Sequence, residues 1–117
     1  MIIGMYSSIS GLQALEKKLE STAHNVANVN TDGYKKTKVT LQEGQPYGVR
    51  VHTEKTNTPG PQVYEQTSSG FSLVEKSNVE LSEELPNLML TRRFYQANLK
   101  AVRTAEEMLG SLLDVKG

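Results

Sequence analysis

Two apolar stripes, one at each end of the chain, repeat at alternating steps of four and three residues, and that spacing is what most constrains the fold. The first runs through Met5, Ile9, Leu12, Leu19, Ala23 and Val26, interrupted at Glu16 with Leu15 beside it. The second runs through Leu81, Leu85, Leu88, Tyr95, Leu99, Val102, Leu109 and Leu113, interrupted at Arg92 and Glu106. A 4-3 repeat holds one side of an α-helix against a partner helix. The stripes therefore predict a helix over residues 1–30 and another over 81–117. Ser82 offers a hydroxyl to the free amides of the second helix's first turn, and Glu83 and Glu84 suit the positive end of its dipole. Pro86 removes a backbone donor about one turn further on.

Residues 31–80 follow another rhythm. VTL from Val39, YGVRVHT from Tyr47, QVYEQT from Gln62 and GFSLVE from Gly70 read as short strands, and TPGP from Thr58 as a turn. The predicted fold is mainly α with a small β-rich middle: two long terminal helices forming an antiparallel coiled-coil hairpin around a short β module. Its intramolecular seam is expected to hold Ile9, Leu12, Leu19, Val26, Leu85, Leu88, Leu99, Val102 and Leu109.

The C-terminal helix also carries a second apolar stripe, Leu90, Phe94, Ala97, Ala101, Ala105 and Met108, on the side away from Leu88, Tyr95, Val102 and Leu109. A single hairpin covers only one side of a helix. Burying a side chain such as Phe94 is worth about 1.5 to 3 kcal/mol, against a net stability of roughly 5 to 15 kcal/mol. Either the β-rich middle folds over the second stripe or other copies of the chain cover it. Two long helices on so small a module favour subunits packed side by side.

Composition excludes several function classes. A chain of 117 residues is at most one ordinary domain. Its 13 basic and 13 acidic side chains cancel, so no net field draws it to nucleic acid or an anionic membrane; the lysines of KKTK, from Lys35, read as a solvated loop face. With no cysteine there is neither a disulfide nor a thiolate metal site. The opening MIIGMYSSISGLQALEKKLE lacks a basic stretch followed by a long apolar core, so neither a cleaved secretory signal nor a membrane span is expected. His24 and His52 stand alone rather than in a ligand spacing, and the adjacent Glu83 and Glu84 project apart on a helix. No catalytic, cofactor or metal site and no small-molecule substrate is expected. The remaining classes are a building block that repeats its contacts, or a helical adaptor or export-associated binding protein that closes a finite complex.

Both ends resemble one family. SGLQALEKKLESTAHNVANVNTDGYKK resembles the N-terminal signature of the bacterial flagellar rod and hook axial proteins, at Asn25, Ala27, Asn28, Thr31, Gly33 and Tyr34. NVELSEELPNLMLTRRFYQANLKAVRTAEEMLGSLL resembles their C-terminal signature, with Arg93, Tyr95, Gln96, Ala97 and Asn98 at its core. The resemblance implies a structural subunit of the basal-body rod in the periplasmic space. It would be exported by the flagellar type III apparatus without cleavage of a signal, and would assemble with copies of itself and other axial proteins into a tubular drive shaft. The short middle, with GQPYGVRV and GFSLVEKSNVEL, is most similar to a proximal-rod subunit; Pro86 departs from the family's usual helix former.

The asparagines of NVANVNTDGYKK sharpen one expectation. Asn30, Thr31, Asp32 and Gly33 read as a helix stop and turn. On the heptad register Asn25 and Asn28 fall on the back of the first helix, where each costs about half a kcal/mol relative to alanine. They are expected to face an adjacent subunit.

Overall fold

The computed structural model describes residues 2–116. Six elements follow in order: α1 (Ile2–Ala27), β1 (Thr37–Glu43), β2 (Val49–Lys55), β3 (Gln62–Thr67), β4 (Gly70–Glu75) and α2 (Leu81–Lys116). The fold is mainly helical with a small β middle, as the two rhythms of the sequence predict.

The helices pack in one antiparallel register. A Cβ placed on Gly11 would lie 2.7 Å from Asn98 Nδ2, and Asn25 bonds Glu84 about four turns along both helices, so the two pairs fix the same alignment. On α2 the residues Glu84, Leu88, Thr91, Tyr95, Asn98, Val102, Ala105 and Leu109 are buried or half-buried, and every other position from Leu81 to Asp114 is exposed. Their spacing is an unbroken 4-3 repeat.

That seam corrects the expected one. Leu88, Val102 and Leu109 are on it, and Leu12, Leu19 and Val26 are half-buried. Ile9, Leu85 and Leu99 are exposed at its edge. The cause is a rotation of about one residue, roughly 100° at 3.6 residues per turn: Gly11, Leu15, Thr22 and Asn25 of α1 are buried where the apolar count had placed Leu12, Leu19 and Val26. Small and hydrogen-bonded polar side chains share the seam with Leu15, Leu88, Val102 and Leu109, while Ile9, Leu85 and Leu99 flank it.

The helix ends also differ from expectation. Glu83 N and Glu84 N both donate to Glu80 O at 3.0 Å, so Glu80 caps α2 and Ser82 lies inside the first turn. Pro86 is accommodated within the helix. α1 ends at Ala27, and Gly33, with φ of 72°, supplies the left-handed step that re-aims the chain.

The strands form two separate antiparallel hairpins, β1–β2 and β3–β4. In the first, Leu41 pairs with Val51 and Glu43 with Val49, which puts Val39, Leu41, Val49 and Val51 on one face. That face lies against α1 and is pinned there: Val49 N donates to Ser10 Oγ at 3.0 Å, and Ser21 Oγ donates to Thr37 O at 3.1 Å. Among the described residues, β3–β4 packs against neither helix nor the other hairpin. The molecule measures 79 × 24 × 21 Å. α2 accounts for about 54 Å of that length at 1.5 Å per residue. Since β1–β2 lies alongside α1, the remaining length of about 25 Å is the β3–β4 hairpin projecting past the end where α1 stops and α2 starts.

Candidate assembly surface

The family-motif asparagine sits at the centre of the molecule rather than on its back. Asn25 is 2% exposed. Its Nδ2 donates to Thr37 O at 2.8 Å and to Glu84 Oε1 at 3.3 Å; its Oδ1 accepts from Thr37 N at 3.0 Å and from the Tyr34 hydroxyl at 3.1 Å. These are all four bonds a side-chain amide can make. One side chain thus ties α1, the α1–β1 connection, β1 and α2 together. The expectation that Asn25 faces a neighbour is overturned, because the true seam runs through Thr22 and Asn25.

Asn28 is engaged locally. Its Nδ2 donates to His24 O at 2.8 Å, closing the last turn of α1, and its Oδ1 accepts from Thr31 Oγ1 at 3.0 Å. Of the other motif positions, Gly33 N donates to Glu75 O at 2.9 Å, Asn98 lies in the seam against Gly11, and Tyr95 is half-buried beside it. Ala27, Arg93, Gln96 and Ala97 are exposed.

A second clasp escaped the sequence reading. Asn78 Oδ1 accepts from Lys36 N at 2.7 Å, and its Nδ2 donates to Thr56 O and Thr58 O, each at 2.9 Å. Gly60 packs so closely there that a Cβ would lie 2.0 Å from Lys76 O. Asparagine next to serine at the end of a strand reads as ordinary loop, and no periodicity marks it.

Charge pairs hold the base of β3–β4. Lys35 bonds Glu75, while Lys76 bonds Glu65 and, at 2.9 Å, Asp32. The Lys35 hydrogen bond, aided by Gly60 N, holds the Glu75 carboxyl below its ordinary range. The Glu65 and Asp32 carboxylates hold the Lys76 ammonium above its own.

Part of the helical exterior is apolar and uncovered. On α2, Leu85, Met89, Leu90, Phe94, Met108, Leu112 and Leu113 are exposed large side chains, and Ala101 is exposed with them; Ile2, Ile3 and Tyr6 continue this on α1. Because β1–β2 packs on α1 alone, the β middle leaves the second stripe bare. Phe94, Ala97 and Asn98 on one side, and Leu41 and Val49 on the other, with Gly11 and Leu15 between them, line a mostly apolar groove of about 360 Å³ that separates α2 from the β1–β2 hairpin. Among the described residues no group of histidine, aspartate or glutamate is arranged to hold a metal ion, and no helix is long and apolar enough to cross a membrane.

Comparison with known proteins agrees at both ends. Residues 5–35 match the family described as "Flagella basal body rod protein", and residues 69–115 match "Flagellar basal body rod FlgEFG protein C-terminal". The first match covers most of α1 and the second covers β4 and most of α2, and together they take in two thirds of the chain. The chain belongs to the flagellar rod and hook axial protein family. This is a structural, non-enzymatic family of the flagellum and its basal body. The axial protein is 49% identical over 45 residues to the flagellar hook protein FlgE of Helicobacter pylori, covering 38% of this chain and 6% of that one. It is 44% identical over 43 residues to the flagellar basal-body rod protein FlgG of Bacillus subtilis, covering 37% and 16%. It is 30% identical over 73 residues to the hook protein FlgE of Borreliella burgdorferi, covering 62% and 16%. The chain thus spans no more than 16% of the length of these relatives.

Proposed function

We propose that this axial protein is a subunit of the flagellar basal-body rod in the periplasmic space, exported by the flagellar type III apparatus without loss of a signal. It assembles with copies of itself and other axial proteins, through the outer faces of its helices, into a tubular drive shaft. The observation that carries this reading is the uncovered stripe Leu90, Phe94, Ala101 and Met108, on a helix that, among the described residues, packs against α1 and no strand. An exposed apolar strip of that length calls for a partner, and heterologous contacts repeated from subunit to subunit build rings or helical tubes rather than a closed pair. The short β middle, about fifty residues between the family-matched helices, favours rod over hook.

Sedimentation and negative-stain microscopy at rising concentration test it. Rods, rings or tubes growing with concentration are the expected result. A small complex of fixed stoichiometry at every concentration overturns the building-block reading in favour of an adaptor.

A further inference from the structure

The helical register leaves the two poles of the molecule unlike each other. Since Gly11 faces Asn98 and Asn25 faces Glu84, Ile2 reaches only the level of Glu107, and among the described residues no part of α1 lies level with α2 from Met108 to Lys116. This overhang is about 13 Å long. Leu112 and Leu113 are exposed on it, Leu113 at 71%, with Ile2 and Ile3 exposed at its root. The β3–β4 hairpin projects from the opposite pole. Tyr64 pairs with Leu73 and Gln66 with Phe71, so Tyr64, Leu73 and Phe71 share one face. Tyr64 is 70% exposed and Phe71 76%, and among the described residues no other helix or strand packs on the hairpin.

We propose that the apolar face of β3–β4 docks on the α2 overhang of a second copy of this chain, so that subunits stack pole to pole. The inference deepens the assembly reading and rests on it. Three observations select this occupant. First, a hairpin-to-hairpin contact would be isologous and would leave the overhang bare, whereas a head-to-tail contact covers both patches at once. Second, the overhang of about 13 Å is long enough to lie across the Tyr64–Phe71 face, which spans about two residue pairs of a strand at 3.4 Å per residue. Third, the hairpin patch is small. An aromatic side chain contributes about 150 to 250 Å² when buried, so Tyr64, Phe71 and Leu73 together offer about 400 Å². A stable two-chain complex buries about 800 Å² on each partner. A contact of half that size fits a polymer, in which lateral helix contacts add to it, better than a free-standing dimer.

The absence of cysteine makes the test direct. Phe71→Cys and Leu113→Cys are made separately in the full chain, and because, among the described residues, no other helix or strand packs on the hairpin that carries Phe71, its replacement leaves the rest of the fold in place. Under oxidising conditions at assembling concentrations, the equimolar mixture is expected to give a disulfide-linked dimer, with neither variant cross-linking alone. The double variant F71C/L113C should give a ladder. A dimer from F71C alone, or a mixture no more cross-linked than its parts, overturns the proposal. A second measurement uses Phe71→Ser and Leu113→Ser: each alone should lose polymer, and their mixture should recover dimers only. Normal polymers from both serine variants overturn the pole-to-pole contact and leave the assembly reading standing. Failure of the unsubstituted chain to polymerise at any concentration overturns both.

Discussion

Asn25 Nδ2 donates to Glu84 Oε1 at 3.3 Å across the helical seam, joining the last turns of α1 to the first turn of α2. The same amide holds Tyr34 and the first residue of β1, so the helical hairpin and the β module share one polar joint. A joint of this kind fixes alignment more sharply than an aliphatic layer, because aliphatic contacts survive sliding and hydrogen bonds do not.

Asn25→Ala is therefore expected to cost more than an ordinary buried truncation. It leaves Thr37 N, Thr37 O, the Tyr34 hydroxyl and Glu84 without this partner, at about 1 kcal/mol for each bond lost, or about 4 kcal/mol in all. Asn25→Asp keeps the acceptor but places a second carboxylate beside Glu84, and is expected to be at least as destabilising. Urea denaturation followed by circular dichroism reads both.

What was legible beforehand follows from what periodicity can encode. The 4-3 repeats located both helices, and the alternating runs located all four strands, because burial on one face leaves a period in the sequence. Phase was harder. Counting aliphatics put Leu85 and Leu99 in the seam, whereas Glu84, Thr91 and Asn98 fill it. A buried asparagine with four partners and an exposed one look identical in sequence, since the partners Thr37 and Glu84 arrive from 12 and 59 residues away. Asn25 and Tyr34 stand among the motif positions in the sequence, but their partners appear only in three dimensions.

Two glycines should respond oppositely to alanine. At Gly60 the new methyl would lie 2.0 Å from a backbone oxygen that cannot swing away, so Gly60→Ala is expected to destabilise by about 1 to 3 kcal/mol. At Gly11 the obstacle is Asn98 Nδ2, the free end of a side chain, and alanine gains about 1 kcal/mol of helix propensity. Gly11→Ala is expected to leave stability unchanged or slightly raised. Thermal unfolding of the two variants side by side checks the contrast.

The base of β3–β4 should hold best between the ordinary titration ranges of its ions. Glu75 is depressed, so its contribution is present above about pH 4.5 and is lost as pH falls through its lower folded value. Lys76 is raised, so its contribution is present below about pH 10.5 and is lost as pH rises through its higher folded value. On acidification, the amide of Gly33, bonded to Glu75 O, is expected to lose exchange protection before the seam amides of α2 do. Lys35→Met should weaken that protection at neutral pH and flatten its dependence in acid.

The rotated seam sets the last prediction. Val102 is buried between the helices, so Val102→Asp places a charge where nothing pairs it and should unfold the hairpin, at a cost of several kcal/mol. Phe94 is 54% exposed on the outer stripe, and Leu99 is exposed at the seam's edge. Phe94→Asp should therefore leave the monomer within about 0.5 to 1 kcal/mol of the parent, yet prevent lateral assembly by setting a charge in the apolar strip that a neighbour covers. Leu99→Asp should fall between them, with a modest loss of stability. Helical content by circular dichroism and polymer mass by sedimentation separate the three. Normal polymer from a folded Phe94→Asp protein would mean that the outer stripe is not the lateral contact.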